Sequence, residues 1–369
     1  MIDEAIVATS TVAWITFALG ALFGYVGNKT SFCTMGAVSD IVNMGDWTRM
    51  RMWALAVAVA IFGTTALQLT GLFSVADTIY TSPRLIWLSN VLGGALFGVG
   101  MTLASGCGSK TLIRIGGGNL KSLVVFVFLG ISAYMTMRGL FGVWRVNYID
   151  TVSTTLETAQ DIPSILGGLG MGTHTALLLS TVLIGGGLLA FALARRDAWQ
   201  TDVLLGGLVI GGLSVAAWYL TGVFAFVEEH PNTLERAFIG TNSGSAESFT
   251  FVAPIAYTLE LLMLWSDSSR IVTFGIAGTL GVIAGSLLYA LISHSFRIEA
   301  FASAGDLGRH LVGAILMGFG GVTAFGCTIG QGVSGFSTLA MGSILTTAAI
   351  IAGSAVTLKI QYWLMMREA

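Results

Sequence analysis

Charged side chains are scarce in this sequence: Lys, Arg, Asp and Glu together make up 10% of its 369 residues. A soluble domain carries about 25% charged residues, which keep its surface in water. Hydrophobic residues are 54% of the chain, so a water-soluble fold would have too little polar surface to cover its core. The composition therefore excludes an ordinary soluble protein and predicts a chain embedded in a lipid bilayer.

Several functional signatures are also missing. The formal net charge is only -2 and no polybasic cluster occurs, which argues against a nucleic acid partner. Three cysteines cannot all pair, no Cys-x-x-Cys occurs and the four histidines are scattered, so neither a disulfide framework nor a structural zinc site is indicated. The Gly116–Asn119 run lacks the Gly-Lys-Ser/Thr ending of a phosphate loop. We therefore expect no metal and no bound cofactor.

Proline is rare, with 4 residues, whereas glycine is abundant, with 49. Disordered glycine-rich chains lack large apolar residues, but this chain has 21 Phe and 9 Trp. The glycines must therefore lie in packed elements, because small residues let helix backbones approach closely in a membrane. Glycine also permits breaks at membrane depth where the backbone lines a cavity.

Apolar runs of about 20 residues, the length that spans a bilayer, recur along the whole chain. The first residues carry two acids and no base, so we interpret the N-terminal run as a retained span and not as a signal peptide. The pattern predicts an all-α, multi-pass membrane protein with about nine or ten crossings. The candidate spans lie near residues 5–27, 52–75, 85–104, 122–143, 175–194, 202–222, 251–266, 271–293, 307–325 and 338–358.

Basic residues predict the orientation of the chain, since they favour cytoplasmic loops. They alternate here with loops rich in Asp, Glu and Ser, at 150–162 and 228–247. We expect the basic group in the cytoplasm and the N-terminus outside. The basic group comprises Arg49, Arg51, Lys110, Arg114, Lys121, Arg195, Arg196 and Arg270.

Internal repeats accompany the cysteines. The segment Gly-Ala-Leu-Phe-Gly occurs twice, beginning at Gly20 and at Gly94, and in each copy a cysteine follows 13 residues after the first glycine. A third, looser copy begins at Gly313, and a fourth, without a cysteine, begins at Gly207. The cysteines that follow the first three copies are Cys33, Cys107 and Cys327.

Two copies fall in each half of the chain. This arrangement predicts a single membrane domain, residues 1–369, built from related halves at about 1–150 and 175–369. Glycine-rich helices can resemble one another by composition, but the shared spacing to cysteine argues against that explanation. Repeated halves with interrupted apolar segments are typical of transporters.

Each cysteine lies in a polar, glycine-rich stretch that directly follows an apolar helix. We expect these stretches, 28–36, 105–118 and 327–335, to be re-entrant half-helix loops that dip into the membrane without crossing it. Such loops must face protein or a polar cavity, because lipid cannot satisfy their backbone. Helix ends at breaks present N–H groups and positive partial charge, which favour an anion. None of the three stretches contains Asp or Glu, which argues against a cation path.

Cysteine side chains suit a ligand whose exposed atom is sulfur, since a neutral thiol is a weak donor with a soft, polarizable surface. A thiolate would repel an anion, so we expect the thiols to stay protonated. A free cysteine is more often a small core hydrophobe, but here all three lie in polar repeats. No catalytic residue is predicted. The candidate path residues are Cys33, Cys107, Cys327, Lys110, Ser109, Thr34, Thr328, Gln331, Asn28 and Lys29.

These motifs carry a family resemblance. Ser31–Asp40, Ser105–Leu112 with Gly116–Ser122, and Gly326–Gly332 together resemble the YeeE/YedE family of bacterial inner-membrane proteins, over nearly the whole chain. The resemblance implies an hourglass-like fold with about nine spanning helices. It also implies that the three cysteines pass thiosulfate along a central path by S–H contacts.

The resemblance further implies uptake of thiosulfate and not an enzymatic activity, with a cytosolic sulfur-carrier or sulfurtransferase protein of the TusA-like type as a candidate partner. Two alternatives stay open. One is a membrane sulfurtransferase that holds sulfur as a cysteine persulfide, for which only Cys107, near Lys110, offers a hint. The other is a channel or carrier for another sulfur or selenium species, or for another anion such as sulfite or formate.

Overall fold

The computed structural model describes residues 2–229, 234–267 and 269–368. This part is mainly α-helical, because a helix satisfies its own backbone hydrogen bonds in lipid. Two small antiparallel sheets lie in connecting segments and pair Arg84–Leu85 with Thr154–Thr155 and Phe226–Val227 with Ala237–Phe238. The helices are α1 (Ile2–Lys29), α2 (Thr34–Met44), α3 (Thr48–Leu69), α4 (Trp87–Leu103), α5 (Gly108–Gly116), α6 (Leu120–Arg138), α7 (Leu140–Trp144), α8 (Ile162–Gly168), α9 (Thr173–Ser180), α10 (Gly186–Leu193), α11 (Thr201–Tyr219), α12 (Ala253–Met263), α13 (Phe274–Ile292), α14 (Ala304–Thr323) and α15 (Met341–Glu368).

The all-α membrane fold is confirmed. Eight helical segments in the described part of the chain are long and apolar enough to cross a membrane, and all ten predicted spans coincide with helices. α12 has only 11 residues, about 16 Å at 1.5 Å per residue, which is too short for a hydrocarbon core of roughly 30 Å. α14 has 20 residues and packs between α4 and α6, but its first turns are polar.

The helices run between two ends of one bundle. α3 and α11 lie side by side in the same direction, and so do α6 and α14. These four helices begin at one end, while α1, α4, α13 and α15 begin at the other. We call the first the basic end, because its loops carry most of the lysines and arginines that predict a cytoplasmic face. The second is the opposite end.

Arg270 is the exception to the predicted orientation. It precedes α13, whose first residue, Phe274, donates its N–H to the carbonyl of Gly240. Gly240 lies beside Val12 near the start of α1. Arg270 is therefore at the opposite end, where it pairs with Glu260 at 2.9 Å. The prediction that groups it with the cytoplasmic arginines is wrong, because the short α12 does not carry the chain across the bundle.

α1, α4 and α14 end in the same backbone turn. The second residue before each cysteine, Ser31, Ser105 or Phe325, has a φ of 52°, 56° or 59°. This left-handed conformation is uncommon for residues other than glycine. The residue that follows donates its N–H to the carbonyl five positions earlier, which closes the helix end. The three repeats therefore share one local structure, whereas α11 continues into a π-helical segment without this turn.

A short half-helix follows each break: α2, α5 and the π-helical segment Gly330–Gly335. The half-helices were expected, and two of them do not turn back. α5 ends beside the loop that follows α13 at the basic end, although α4 began at the opposite end. Likewise Gly330–Gly335 leads towards the start of α15. The second and third breaks thus lie inside a crossing, which corrects the predicted re-entry of 105–118 and 327–335. At the first break, Thr30 already lies beside Gly206 near the start of α11, and α2 leads to the start of α3, so re-entry of 28–36 stays a prediction. Polar residues at a break are compatible both with a crossing and with a re-entrant loop. The helices that pack around the half-helix decide which of the two the chain forms.

The repeated Gly-Ala-Leu-Phe-Gly segments are packing surfaces. Gly20 and Gly24 of α1 lie against the backbone of α13, and Gly94 and Gly98 of α4 lie against the backbone of α15. A Cβ atom at any of these positions would overlap a backbone atom of the neighbouring helix. Small residues permit this approach, and close packing holds the pairs together where lipid offers no hydrophobic driving force.

Helix contacts in the two halves match. α1 packs on α13 as α11 packs on α3, and α4 packs on α15 as α14 packs on α6. α4 and α14 also cross in opposite directions, with Gly93 beside Gly320 and Gly100 beside Gly313. A two-fold axis between α4 and α14 would produce these reciprocal pairs. We propose an inverted repeat in which α1, α2, α4 and α5 correspond to α11, α12, α14 and Gly330–Gly335.

Gly285 of α13 tests this packing. A Cβ atom at Gly285 would overlap the carbonyl of Ala21 in α1, so Gly285→Ala should lower the free energy of unfolding by about 1–3 kcal/mol. Gly212→Ala in α11 is the control, because nothing lies within 4 Å of its Cβ position, and it should match or slightly exceed the wild type. Thermal unfolding in detergent measures both variants. Equal melting temperatures for the two would contradict the packing.

Candidate functional site

The three cysteines lie where the half-helices begin. Cys33 is the N-cap residue of α2, and its sulfur accepts the N–H of Gly36 at 3.3 Å. Cys107 is the N-cap residue of α5. The sulfur of Cys327 accepts the N–H of Gly330 at 3.4 Å. At the starts of α2 and α5, unpaired backbone N–H groups and positive partial charge therefore lie beside a thiol.

The thiols form a row inside the bundle. All three are free and buried, with relative exposures of 7%, 1% and 0% for Cys33, Cys107 and Cys327. The side chains of Cys33 and Cys107 contact each other, and Cys107 also lies close to Cys327. The fold thus brings together three cysteines that are far apart in the sequence, with Cys107 in the middle.

Two predicted threonines lie beside this row. Thr34 and Thr328 are each 2% exposed, and neither hydroxyl has a hydrogen-bond partner with good geometry among the described residues. Thr328 lies next to Cys107. A buried polar group without a partner costs about 1–3 kcal/mol, so a native structure retains it for a reason. A passing ligand with acceptor atoms would satisfy both hydroxyls.

The other predicted residues of the first two breaks have different environments. The hydroxyl of Ser109 lies 3.3 Å from the sulfur of Cys107. Asn28 donates to the side-chain oxygen of Ser286 at 2.9 Å and to its carbonyl at 3.2 Å, which ties α1 to α13. Lys29 is exposed at the end of α1. Ser109 therefore joins the thiols, whereas Asn28 has a packing contact and Lys29 faces the surroundings of the bundle.

Lys110 is half-buried in α5. Its titratable neighbours are the thiols of Cys33 and Cys107 and the cations Arg49 and Arg114. Within the described ranges it forms no ion pair with a carboxylate. These three cations, of which Arg49 pairs with Asp40 at 3.0 Å, form a cationic cluster between the thiol row and the basic end. Its net positive charge favours an anion there.

A cavity of about 350 Å³ lies between the thiol row and the opposite end, and we call it the vestibule. Arg138, Arg145 and Glu247 contribute to its walls. Thr250 and Gly326 line it next to Cys327, and the Thr250 hydroxyl is 3.9 Å from the Cys327 sulfur. The vestibule therefore leads to the third cysteine of the row.

A second cavity of about 210 Å³ shares Tyr80 and Phe325 with the vestibule and extends to Gln331. The Gln331 side-chain amide donates to the carbonyl of Ala324, which holds the third break in place. Its amide oxygen is buried without a partner among the described residues. This oxygen is an acceptor, so it suits a water molecule better than an anion.

Comparison with known proteins agrees with this geometry. Residues 29–356 match the protein family described as Sulphur transport. The match includes all three cysteine breaks and the residues of the vestibule. The chain belongs to this sulphur transport family.

Two relatives of known name match the chain over most of its length. The thiosulfate transporter TsuA of Escherichia coli (strain K12) is 26% identical over 333 residues, which cover 85% of this chain and 84% of the relative. The thiosulfate transporter TsuA of Spirochaeta thermophila is 24% identical over 355 residues, which cover 92% and 96%. Membership of the sulphur transport family confirms the prediction of a multi-pass transport protein of the bacterial inner membrane.

The sequence analysis missed the residues of the vestibule. Arg138, Arg145, Glu247 and Thr250 follow no repeat and carry no cysteine beside them. The stretch from 248 to 251 alternates hydroxyl and aromatic residues, and its only signal was a break between two apolar segments. In the structure this stretch lies inside the bundle beside the third cysteine.

The unpartnered threonines give a test that separates stability from transport. Thr34→Val and Thr328→Val keep the shape of the side chain and remove the hydroxyl. Each should leave stability unchanged or raise it by up to about 1–3 kcal/mol, while uptake of a sulfur-containing anion falls. Thermal unfolding and uptake of the labelled anion measure the two effects.

Thr279→Val is the matched control for these variants. The Thr279 hydroxyl already donates to the carbonyl of Gly275 at 2.9 Å, so this change should leave uptake intact without raising stability. If Thr34→Val and Thr328→Val transport at the wild-type rate, the unpartnered hydroxyls do not serve a ligand.

Proposed function

We propose that the protein takes up thiosulfate along a path through the vestibule, past Cys327, Cys107 and Cys33 in turn, to the basic end. The observation that carries this proposal is the row of three buried thiols, reached from the vestibule at one end and followed by a cationic cluster at the other. The names of the two relatives support thiosulfate as the substrate.

The vestibule would concentrate the dianion before it reaches the thiols. Arg138 and Arg145 supply positive charge in its walls. Arg145 also pairs with Asp150 at 3.5 Å and lies over the ring of Phe325, which fixes its position. The walls also include Glu247, whose carboxylate accepts the backbone N–H groups of Asn242 and Ser243. Arg138 forms no ion pair among the described residues, so it is the charge that would attract an anion into the vestibule.

The thiol row would then replace the water that the ion loses. Thiosulfate carries a large, polarizable terminal sulfur and three oxygen atoms. A neutral thiol offers a weak S–H donor and a soft surface to the sulfur end, while threonine hydroxyls and backbone N–H groups suit the oxygens. Each contact is weak, and passage requires binding that is favourable but readily released.

Contact between Cys33 and Cys107 would make the last transfer short. An ion at Cys107 could exchange one thiol for the next without crossing an apolar gap. Lys110 and Arg114 lie beyond this pair and would attract the ion towards the basic end. The path therefore has weak donors in its middle and full positive charges on both sides.

We also propose that a cytosolic sulfur-carrier or sulfurtransferase protein of the TusA-like type receives the ion at the basic end. The family resemblance and the cationic cluster at this end support the proposal. Removal of the ion by such a protein would keep its internal concentration low and draw uptake forward.

The cysteines provide the direct test of the proposed function. Each of Cys33, Cys107 and Cys327 should be changed to Ser and to Ala at matched membrane expression, and uptake of radiolabelled thiosulfate into proteoliposomes measured with competing anions. We expect every Cys→Ala variant to lose most of its uptake. Cys→Ser should also be impaired, although serine is a better donor, because its hard oxygen binds water in place of sulfur.

The outcomes distinguish the alternatives. Near wild-type uptake by all three alanine variants would contradict the thiol path. Loss at a single cysteine, together with a persulfide detected by intact mass after turnover, would favour a membrane sulfurtransferase. Uptake of another anion in preference to thiosulfate would make the protein a carrier for that anion.

Lys110 gives a separate prediction. Lys110→Gln removes the positive charge beside the thiols of Cys33 and Cys107. It should reduce thiosulfate uptake several-fold while the yield of folded protein stays normal. Lys29→Gln is the matched control, since Lys29 is an exposed lysine just before the first break, and should leave uptake within about twofold. Equal uptake by both variants would mean that Lys110 merely extends towards the membrane interface.

A further inference from the structure

The inverted repeat assigns a counterpart to each cysteine. α4 and α14 correspond, so Cys107 and Cys327 are equivalent positions at the starts of their half-helices. α1 and α11 correspond as well, and α2 corresponds to α12. Cys33 precedes α2, whereas α12 is preceded by the non-helical segment Ser248–Val252. This segment therefore occupies, in the second half, the place that Cys33 occupies in the first.

The segment Ser248–Val252 is held firmly beside the third break. The hydroxyl of Ser334 hydrogen-bonds to the side chain of Ser248 at 3.1 Å and to the carbonyl of Phe249 at 2.8 Å. Phe249 and Phe251 are 2% and 1% exposed. Their burial anchors the residue between them, so its side chain has a defined position in the vestibule.

Thr250 is that residue. It lines the vestibule, and its hydroxyl lies 3.9 Å from the Cys327 sulfur. It also packs directly on Gly330, where a Cβ atom would overlap it. Gly330 donates its N–H to the same sulfur. Thr250 thus lies beside Cys327 as Cys33 lies beside Cys107, with a hydroxyl in place of a thiol, although the N-cap position that Cys33 has in α2 is held in α12 by Val252.

We propose that Thr250 is the outermost binding position of the path. Its hydroxyl binds the oxygen end of the incoming anion while Cys327 contacts the terminal sulfur. This inference rests on the proposed function. An ion arriving from the vestibule is hydrated, and a hydroxyl, as a stronger donor than a thiol, replaces lost water at an oxygen atom. Further along the path, the thiols of Cys107 and Cys33 contact the terminal sulfur. The oxygen end of the ion is therefore bound first, at Thr250, and the later contacts are made through sulfur.

Substitutions at Thr250 test the role of its hydroxyl. Initial rates of labelled thiosulfate uptake should be measured over a range of concentrations, in cells without other thiosulfate uptake, at matched expression. Thr250→Val removes the hydroxyl at constant shape and should raise the half-saturating concentration about tenfold, as expected for one hydrogen bond to a charged group. Thr250→Ser keeps the hydroxyl and should stay within about threefold of the wild type.

Thr250→Ala is a second variant without the hydroxyl, in case the added methyl group of Thr250→Val prevents folding. It should give the same tenfold rise in the half-saturating concentration. A half-saturating concentration within threefold of the wild type for Thr250→Val or Thr250→Ala would overturn the proposal. So would a tenfold shift for Thr250→Ser, because packing and not the hydroxyl would then matter. Cys327→Ala separates the two claims: if it abolishes uptake while Thr250→Val leaves the half-saturating concentration within threefold of the wild type, only the role of Thr250 fails. If the wild type itself takes up no thiosulfate, the proposed function fails.

Discussion

A helix that breaks inside a membrane leaves backbone N–H and C=O groups that lipid cannot bind, and the structure is organised around this constraint. The same turn closes α1, α4 and α14, with Ser31, Ser105 or Phe325 in a left-handed conformation. It satisfies the end of the long helix and leaves the start of the half-helix open. Each open start lies beside a buried thiol. The feature that would destabilise an ordinary span thus creates a row of weak donors and positive partial charge suited to an anion.

Close packing of helices makes such breaks tolerable. Glycines in α1 and α4 let α13 and α15 approach to backbone contact, so each interrupted helix is supported along its length by an uninterrupted one. The reciprocal contacts of α4 and α14 place two breaks near each other at the centre of the bundle. The two halves differ at the ends of the proposed path. In the first half the path ends at Cys33, near the cationic cluster, and in the second half it begins at Thr250, in the vestibule.

Much of this structure could be predicted from sequence. Each of the ten predicted spans coincides with a helical segment, and the spacing from glycine to cysteine identified the three breaks, because both depend on local pattern. The path of the chain after each break could not be predicted, since it depends on which helices pack around the half-helix. For the same reason Arg270 was placed at the wrong end. The vestibule was missed because Arg138, Glu247 and Thr250 come from separate segments that only the tertiary fold brings together.

The central claim is that the three thiols contact one travelling anion through its terminal sulfur. A structure determined with selenosulfate, in which selenium replaces that sulfur, measures this most directly through the anomalous signal of selenium. We expect selenium at non-bonded contact, about 4 Å, from the sulfur of Cys327, Cys107 or Cys33, with an oxygen near a threonine hydroxyl. Selenium remote from all three thiols, or at covalent bonding distance from one of them, would contradict it.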